Sequence, residues 1–474
     1  ALEAELAAAG AAQRAARTAE ARARARLDEA ERLWETQSGT YRDMLADFGP
    51  ITPPDDLDAL EEEEFQKRGL WHTRELVRLR SELFKAALRL HEAWLAEVSV
   101  KYGGFGTNLS AIRYMLQGQP VDDPDDLLAV WQSLFMVVPV VSTTFASVAR
   151  QFRGLGPGSL GWLFIDEAGQ AVPQAAVGAL WRAQRALVIG DPLQIEPVFT
   201  VSKGLIADLA ALSPHTLDGA CSPDRVSVQL LADAANPYGA TVQAEGDETL
   251  WIGSPLRVHR RCLDPMFSLA NSIAYEDRMV FGLPERLPEG DRRPLYGSSA
   301  WIDIEGQVSG RQSVVRQIEF VAELIVATHA QFGDLPDLYV ISPFKEIKED
   351  LSRMLLGQTF WSSRSPARPS RSRIRKWVGE RIGTVHTFQG KQRDTVIMVL
   401  GVDVQHEGAA RWAASKPNLL NVALTRAERR FYMVGDPRLW RKQRFFSEAA
   451  DRLPVVKEDE FLERMQVAWR KEPQ

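Results

Sequence analysis

The sequence predicts an α/β protein with two halves built on parallel sheets, the first carrying an inserted helical stalk. Three patterns lead there. Short apolar runs end in polar residues: Phe135 to Val141, Trp162 to Ile165 and Ala186 to Ile189 in the first half, then Trp301 to Ile304, Leu338 to Ile341, Thr395 to Leu400 and Phe431 to Val434 in the second. Runs that are continuous rather than alternating belong to strands buried on both faces, as parallel strands are. Helical patterns lie between them, at Val314 to Ala330 and Lys345 to Leu356. Upstream, residues 1–36 are rich in Ala, Arg and Glu. Leu76, Leu83 and Leu90 then fall seven apart within a second helical stretch, 73–98. Two long helices with a turn-rich, acidic loop between them predict an antiparallel stalk.

The chain has 474 residues, enough for two or three domains. The expected layout is a stalk over 1–100, the C-terminal part of the first α/β domain over 101–200, a weakly patterned spacer over 201–250, the second α/β domain over 251–440, and a helical tail over 441–474. The formal net charge is −6, so any basic groove must be local. The two cysteines, Cys221 and Cys262, form no CxxC or Cys/His pattern. That disfavours a zinc module and a disulfide framework and fits a reducing, cytoplasmic setting. No apolar run reaches the ~18 residues of a membrane span, so no membrane partner is expected.

The chemistry gathers at strand ends. The run Leu163-Phe164-Ile165-Asp166-Glu167-Ala168-Gly169-Gln170 ends an apolar strand in two carboxylates. Asp166 suits Mg²⁺, a hard cation that takes carboxylate oxygen, and Glu167 suits the polarisation of an attacking water. Alone, such a pair is more often a surface turn. The next strand ends Gly190-Asp191-Pro192-Leu193-Gln194-Ile195-Glu196-Pro197, and a Gln beside an acidic pair can sense a γ-phosphate or orient water.

Together these runs resemble motifs II and III of superfamily 1 helicases, the branch of the nonsense-mediated-decay RNA helicases and the flap-processing helicase-nucleases. More motifs follow in family order. Leu256-Arg257-Val258-His259-Arg260-Arg261 is similar to the motif whose last Arg reaches the γ-phosphate. Ile341-Ser342-Pro343-Phe344 resembles a strand end that touches the nucleic-acid backbone. Gly383 to Gly390 resembles motif V, and Leu420-Asn421-Val422-Ala423-Leu424-Thr425-Arg426-Ala427 resembles motif VI. Upstream, Ser142-Thr143-Thr144 resembles a nucleic-acid-contacting motif. The resemblance covers roughly residues 136–440. It implies two RecA-like P-loop NTPase domains and an ATP-dependent, 5′-to-3′ motor on single-stranded DNA or RNA. It implies ATP and Mg²⁺ as cofactors. Glu167, Gln194, Arg261 and Arg426 would be catalytic, with Asp166 on the metal. Asp166, Gln170, Asp191, Gln389, Gly390 and Gln392 would line the nucleotide. Thr143, Thr144, Ser342, Pro343 and Thr387 would meet nucleic acid.

Three departures qualify this. Gln392 stands where the family commonly has an acidic ribose contact, and His259-Arg260 replaces a usual Gln-Tyr pair. The latter leaves the choice between Arg260 and Arg261 open. No phosphate-binding loop, GxxxxGK followed by Ser or Thr, occurs in the 474 residues. With Ala as residue 1, the expectation is that the loop lies in a missing N-terminal part of the same protein. Without that loop the chain alone is expected to be inactive. A non-catalytic nucleic-acid-binding or interaction module is the alternative. Finally, residues 364–376 hold Arg371, Arg373 and Arg375 among other cations, without an acid, between Trp361 and Trp377. A flexible basic loop contacting a single strand is one reading, and a solvated insertion is the other.

Overall fold

The computed structural model describes residues 17–18, 20–22, 24–37, 39, 62–69, 74–101, 104–199, 201–212, 221–243, 249–283, 296–362, 364–365, 368–388 and 390–470. The chain divides into two compact units, 1–110 and 111–474.

The described residues of the first unit are mostly helical: residues 24–37, α1 (Glu63–Arg68), α2 (Arg74–Lys101) and the start of α3 (Gly106–Leu116). Arg78 stabilises α2 locally, reaching Glu75 at 2.5 Å and Glu82 at 2.6 Å, one turn away on either side. The seven-residue leucine repeat does not make a buried seam, because Leu83 and Leu90 are 71% and 72% exposed. Heptad spacing creates an apolar stripe, and only a facing helix turns that stripe into a core.

The second unit opens with α4 (Pro124–Val137) and α5 (Phe145–Gln151). Asp123 caps α4, accepting from the amides of Asp125 and Asp126, with Pro124 at its first turn. Leu127, Trp131 and Leu134 are buried at helical spacing. The predicted strand Phe135 to Val141 is therefore the end of this helix followed by irregular chain. A buried helical segment and a buried strand share the same apolar signature. Next come β1 (Leu160–Ile165), a 3₁₀ turn at Ala168–Gln170, α6 (Pro173–Arg182) and β2 (Ala183–Val188). The two strands pair in parallel, with Ile165 opposite Val188, so Asp166 and Gly190-Asp191 leave the sheet side by side.

The stretch expected to be a spacer is built rather than loose. It holds α7 (Lys203–Leu212), α8 (Val228–Ala235) and the antiparallel pair β3 (Gly239–Gln243) and β4 (Thr249–Gly253). The strand β5 (Val258–His259), α9 (Met266–Tyr275) and β6 (Val280–Phe281) connect to the second half.

That half is a six-stranded, wholly parallel sheet, ordered β11-β10-β12-β13-β7-β14. Its strands are β7 (Ala300–Asp303), β10 (Leu338–Ser342), β11 (Ile382–Thr384), β12 (Arg393–Val399), β13 (Ala427–Gly435) and β14 (Val455–Lys457), with a small hairpin of β8 (Val308–Ser309) and β9 (Ser313–Val314) at one side. Every residue of β10 is buried, which is why its sequence is continuously apolar. The helices are α10 (Val315–Phe332), α11 (Lys345–Leu356), α12 (Gln358–Ser362), α13 (Arg371–Arg381), α14 (Glu407–Ala413), α15 (Asn418–Thr425), α16 (Pro437–Trp440), α17 (Phe446–Arg452) and α18 (Glu458–Arg470).

Two expectations change here. The tail beyond residue 440 is not only helical, because β14 completes the sheet by pairing with β7. Phe461 of α18 is buried against Tyr296, Phe320 and Tyr432. The arginine-rich stretch is not a flexible loop either. Arg371, Arg373 and Arg375 lie on α13, which Ser370 caps and which buries Ile374, Trp377 and Val378.

Candidate functional site

Parallel pairing brings the two strand-end loops into backbone contact. The amide of Ala168 donates to the carbonyl of Ile189 at 3.0 Å, and the amide of Ile189 to that of Ile165 at 2.8 Å. There is no room for side chains between the loops. A Cβ on Gly169 would sit 2.7 Å from the Asp191 carbonyl oxygen, and one on Gly190 would sit 2.8 Å from the amides of Ala168 and Gly169. Glu167 occupies the left-handed region, at φ 54° and ψ 39°, which is uncommon for a non-glycine residue. Its carboxylate accepts from Gln170 Nε2 at 3.1 Å and lies beside Gly390, whose missing Cβ would be 3.7 Å from Glu167 Oε1. Asp166 is exposed, with Oδ1 accepting from the Glu167 amide at 2.9 Å.

From the other half, Arg426 ends α15 and is 1% exposed. Its Nη2 donates to Gln194 Oε1 at 3.1 Å and its Nη1 to the Lys391 carbonyl at 3.1 Å. Nε has no partner. Burial, and then the neighbouring Arg261, pull the guanidinium below the ordinary arginine pKa, while Glu167 opposes them. Gln194 is held by Asp191, whose Oδ2 accepts from Gln194 Nε2 at 2.9 Å and whose Oδ1 accepts from the Leu193 amide at 2.9 Å. Glu167, the Asp191–Gln194 loop and Arg426, three places far apart in sequence, thus converge at one cleft.

Arg261 stands out by its charged surroundings. Arg261 is the arginine whose charge is felt by Arg426 and by buried Cys262. It is exposed and has no carboxylate partner among the described residues. His259 is structural: its Nε2 accepts from the Cys262 amide at 2.8 Å. Burial, followed by repulsion from Arg261, pulls its pKa down to about 4.

Several contacts of the site carry no sequence signal. Asn418 donates to the Gln194 carbonyl, and Lys416 pairs with Glu196. Asn421, inside the motif VI run, donates to the Leu193 carbonyl at 3.2 Å and to the Tyr275 hydroxyl at 3.0 Å. On α8, Gln229 Oε1 would lie 2.9 Å from a Cβ on Gly190, and Gln229 Nε2 donates to Asp233 at 2.8 Å. Burial pushes the Asp233 carboxyl up, against hydrogen bonds from Gln229 and the Gly253 amide. These are long-range partners of the motifs, and spacing along the chain does not reveal them.

The candidate nucleic-acid residues divide. Thr143, Thr144 and Thr387 are exposed and Pro343 is half-buried. Ser342 is 2% exposed, and its hydroxyl accepts from the Phe344 amide at 3.2 Å, so it shapes the strand end rather than presenting itself. Gln392 is exposed beside Gly390, and Gln389 lies outside the described residues. The arginines of α13 are brought elsewhere. Arg373 pairs with Asp334, Trp377 Nε1 donates to the Pro336 carbonyl at 2.9 Å, and Arg381 meets Asp337 at 2.9 Å. All three anchors precede β10, so α13 lies along the amino ends of the strands. Pro343 and Thr387 lie past the carboxyl ends of β10 and β11.

The geometry has counterparts among known proteins. Residues 256–438 match the family model described as "AAA domain". The chain is 24% identical over 285 residues to the regulator of nonsense transcripts 1 homolog of Arabidopsis thaliana, and 23% identical over 286 residues to the ATP-dependent helicase upf1 of Schizosaccharomyces pombe. Each match covers 59% of this chain, against 20% and 27% of those relatives. The chain is thus similar to superfamily 1 helicases of the nonsense-transcript-regulator type. It therefore spans about a fifth to a quarter of the length of these curated relatives. Among solved structures, an arterivirus nonstructural protein 10 (helicase) in complex with DNA matches over 58% of this chain and 39% of its own, with 12% identity and a TM-score of 0.27. The six-stranded parallel sheet is consistent with a RecA-like domain, and the loops after β1 and β2 meet Arg426 across one cleft.

The glycine contact gives a direct test of that assembly. Gly190→Ala forces a methyl against two backbone amides. It should destabilise the chain by about 1–3 kcal/mol, the usual cost of overpacking. Urea unfolding measures it, and a change below 0.5 kcal/mol would show that the loops do not touch as described.

Proposed function

We propose that the chain supplies most of the motor of an ATP-dependent helicase or translocase acting on single-stranded DNA or RNA. The observation that carries this is the buried Arg426 guanidinium bonded to Gln194 and facing Glu167. A buried cation shared by a strand-end glutamine and a carboxylate suits phosphoryl transfer, which is catalysed by positioning and charge stabilisation. The site fits MgATP. Asp166 offers one exposed carboxylate, as Mg²⁺ bound to a nucleotide requires. No cluster of three or more His, Cys, Asp or Glu among the described residues competes as a metal cage. Bound there, MgATP would supply the phosphoryl group and a metal that offsets its charge. Glu167 is placed to take a proton from water, Gln194 to orient that water, and Arg261 and Arg426 to neutralise charge on the γ-phosphate. The arginines come from the other side of the cleft, so closure would couple hydrolysis to movement. Polarity, 5′ to 3′, follows the family alone. Cytoplasmic residence belongs to the same proposal and rests on the two unpaired cysteines.

The phosphate-binding loop is proposed to come from another, N-terminal part of the same protein. Among the described residues β2 has one unpaired edge, and a cavity of about 1350 Å³ lies beside it, lined by Leu187, Ile189, Gln229, Asp233, Arg261 and Tyr275. Trp162 and Phe164 of β1 are 57% and 62% exposed. A parallel strand entering that cavity would end level with Gly190, close to the two arginines. The chain alone should therefore show no nucleic-acid-stimulated phosphate release. An ordinary helicase turnover from the chain alone would overturn the need for an external loop.

In the full-length protein, Glu167→Gln should keep ATP binding and lower turnover by about 10²–10⁴-fold, the usual cost of losing a general base. Arg426→Ala should lower it by about 10³–10⁵-fold. Steady-state rates decide, and near-normal rates in either variant would return that residue to a structural role.

Nucleic acid is proposed to run past the carboxyl ends of the strands, over Pro343 and Thr387, with Thr143 and Thr144 on the first half. Each phosphate neutralised on a single strand contributes about −0.7 to the salt slope. Replacing Arg371, Arg373 and Arg375 with Ala should change that slope by less than ~0.7, because α13 lies at the opposite ends of the strands. Titration of a labelled oligonucleotide at several salt concentrations tests this. A flattening of about two units would put α13 on the track.

A further inference from the structure

The loop that carries Gln194 is held from outside by a residue that belongs to none of the strand-end motifs. Tyr275 is the last residue of α9. Its hydroxyl donates to Asp191 Oδ2 at 2.5 Å and accepts from Asn421 Nδ2 at 3.0 Å. Asn421 also donates to the Leu193 carbonyl at 3.2 Å. Asp191 in turn fixes Gln194 Nε2, and the fixed amide turns its Oε1 toward Arg426 at 3.1 Å. The chain of contacts thus runs from the second half (α15, through Asn421), through α9 (Tyr275), into the loop after β2 (Asp191, Gln194), and back to Arg426.

A hydroxyl used only to fill space would need no such partners. Burying an unpaired hydroxyl is costly, and this one is paired on both its donor and acceptor sides, to two different elements. Burial, reinforced by the Asp191 carboxylate, pushes the phenol pKa well up, so the group stays a donor at physiological pH.

We propose that Tyr275 is a positioning residue for ATP hydrolysis: its hydroxyl clamps Asp191, and Asp191 aims Gln194 at the reacting phosphate in register with Arg426. This rests on the nucleotide-hydrolase reading above. Tyr275 acts through the loop it holds, by its bonds to Asp191 and Asn421 and its contact with Gln194. Losing the hydroxyl frees the loop without removing a ligand to the nucleotide, so turnover falls while apparent nucleotide affinity is kept.

The test compares wild type and Tyr275→Phe in the full-length protein, by steady-state ATP hydrolysis, thermal unfolding and amide hydrogen exchange. The expected result is a kcat lowered by about tenfold or more with KM for ATP within about twofold, as for a group felt in the transition state. Tm should stay within about 3 °C. Amide exchange should quicken over 191–196 and stay unchanged over β12 and β13. A kcat within twofold of wild type, or unchanged exchange over 191–196, overturns the proposal. So does a drop in Tm with kcat preserved, which is the mark of a purely structural tyrosine. If Tyr275→Phe does not fold, Asn421→Asp takes its place. It keeps shape but replaces the donor with an acceptor, and the same selective loss is expected. If wild type itself hydrolyses no ATP, the hydrolase reading falls. The exchange measurement alone then judges the clamp: faster exchange over 191–196 sustains it, and unchanged exchange sinks it.

Discussion

Arg426 is a buried positive charge without a carboxylate bonded to it. Removing a guanidinium from water costs several kcal/mol unless its donors are satisfied. Here Nη1 and Nη2 are satisfied by a carbonyl and an amide oxygen, and Nε is left alone. The backbone around it is fixed as well, since the Arg393 amide donates to the Arg426 carbonyl at 2.9 Å and joins β12 to the start of β13. The sheet of the second half thus holds a charge that only the first half and the cleft can neutralise. Glu167 does so from a distance, and Arg261 works against it. The positions of Gln194, Asp191, Tyr275 and Asn421 all follow from supporting this one group.

The first half answers to a different constraint. Parallel strands are found buried on both faces, because their crossovers place helices there. The pair β1 and β2 obeys this at its carboxyl end, where Ile165, Ala168, Ala176 and Val228 form a small buried cluster. It departs from it along the strands, where Trp162, Phe164, Leu187 and Ile189 meet solvent. The glycine contacts hold the loops together where chemistry is placed, and the strands behind them remain half covered.

Much of this was legible from sequence, for identifiable reasons. Trp301 to Ile304, Leu338 to Ile341, Thr395 to Leu400 and Phe431 to Val434 read as strands because full burial demands continuous apolar side chains. Lys345 to Leu356 read as a helix with its observed bounds. β11 escaped because Ile382–Thr384 is three residues long and merges with the motif that follows. Phe135 to Val141 was misread because a helix end buried by Trp131 and Leu134 looks like a strand. Glu167, Gln194 and Arg426 stand out in sequence because their local patterns are distinctive, and the fold brings them to one cleft. Tyr275, Gln229, Asp233 and Asn418 were not, since each matters through a partner distant in the chain. The arginine-rich stretch suggests a loop in sequence because of its Ser and Pro residues, but it folds as α13. Ser370 as a cap and the buried Ile374, Trp377 and Val378 make it a helix with one dry side.

The order of strands in the larger sheet has a consequence for how the chain emerges from a ribosome. β7 is the first of the six strands to be made, yet its two neighbours, β13 and β14, are the last two. At ~5–20 residues per second, β7 waits on the order of ten seconds with both edges unpaired. Unpaired apolar strand edges are templates for pairing with the wrong chain. Trp301 and Ile302 are fully buried in the finished sheet, so for that interval they are the segment most in need of shelter. The second half can close only after Val456 has left the exit tunnel, which makes vectorial synthesis a hazard and β14 the release from it.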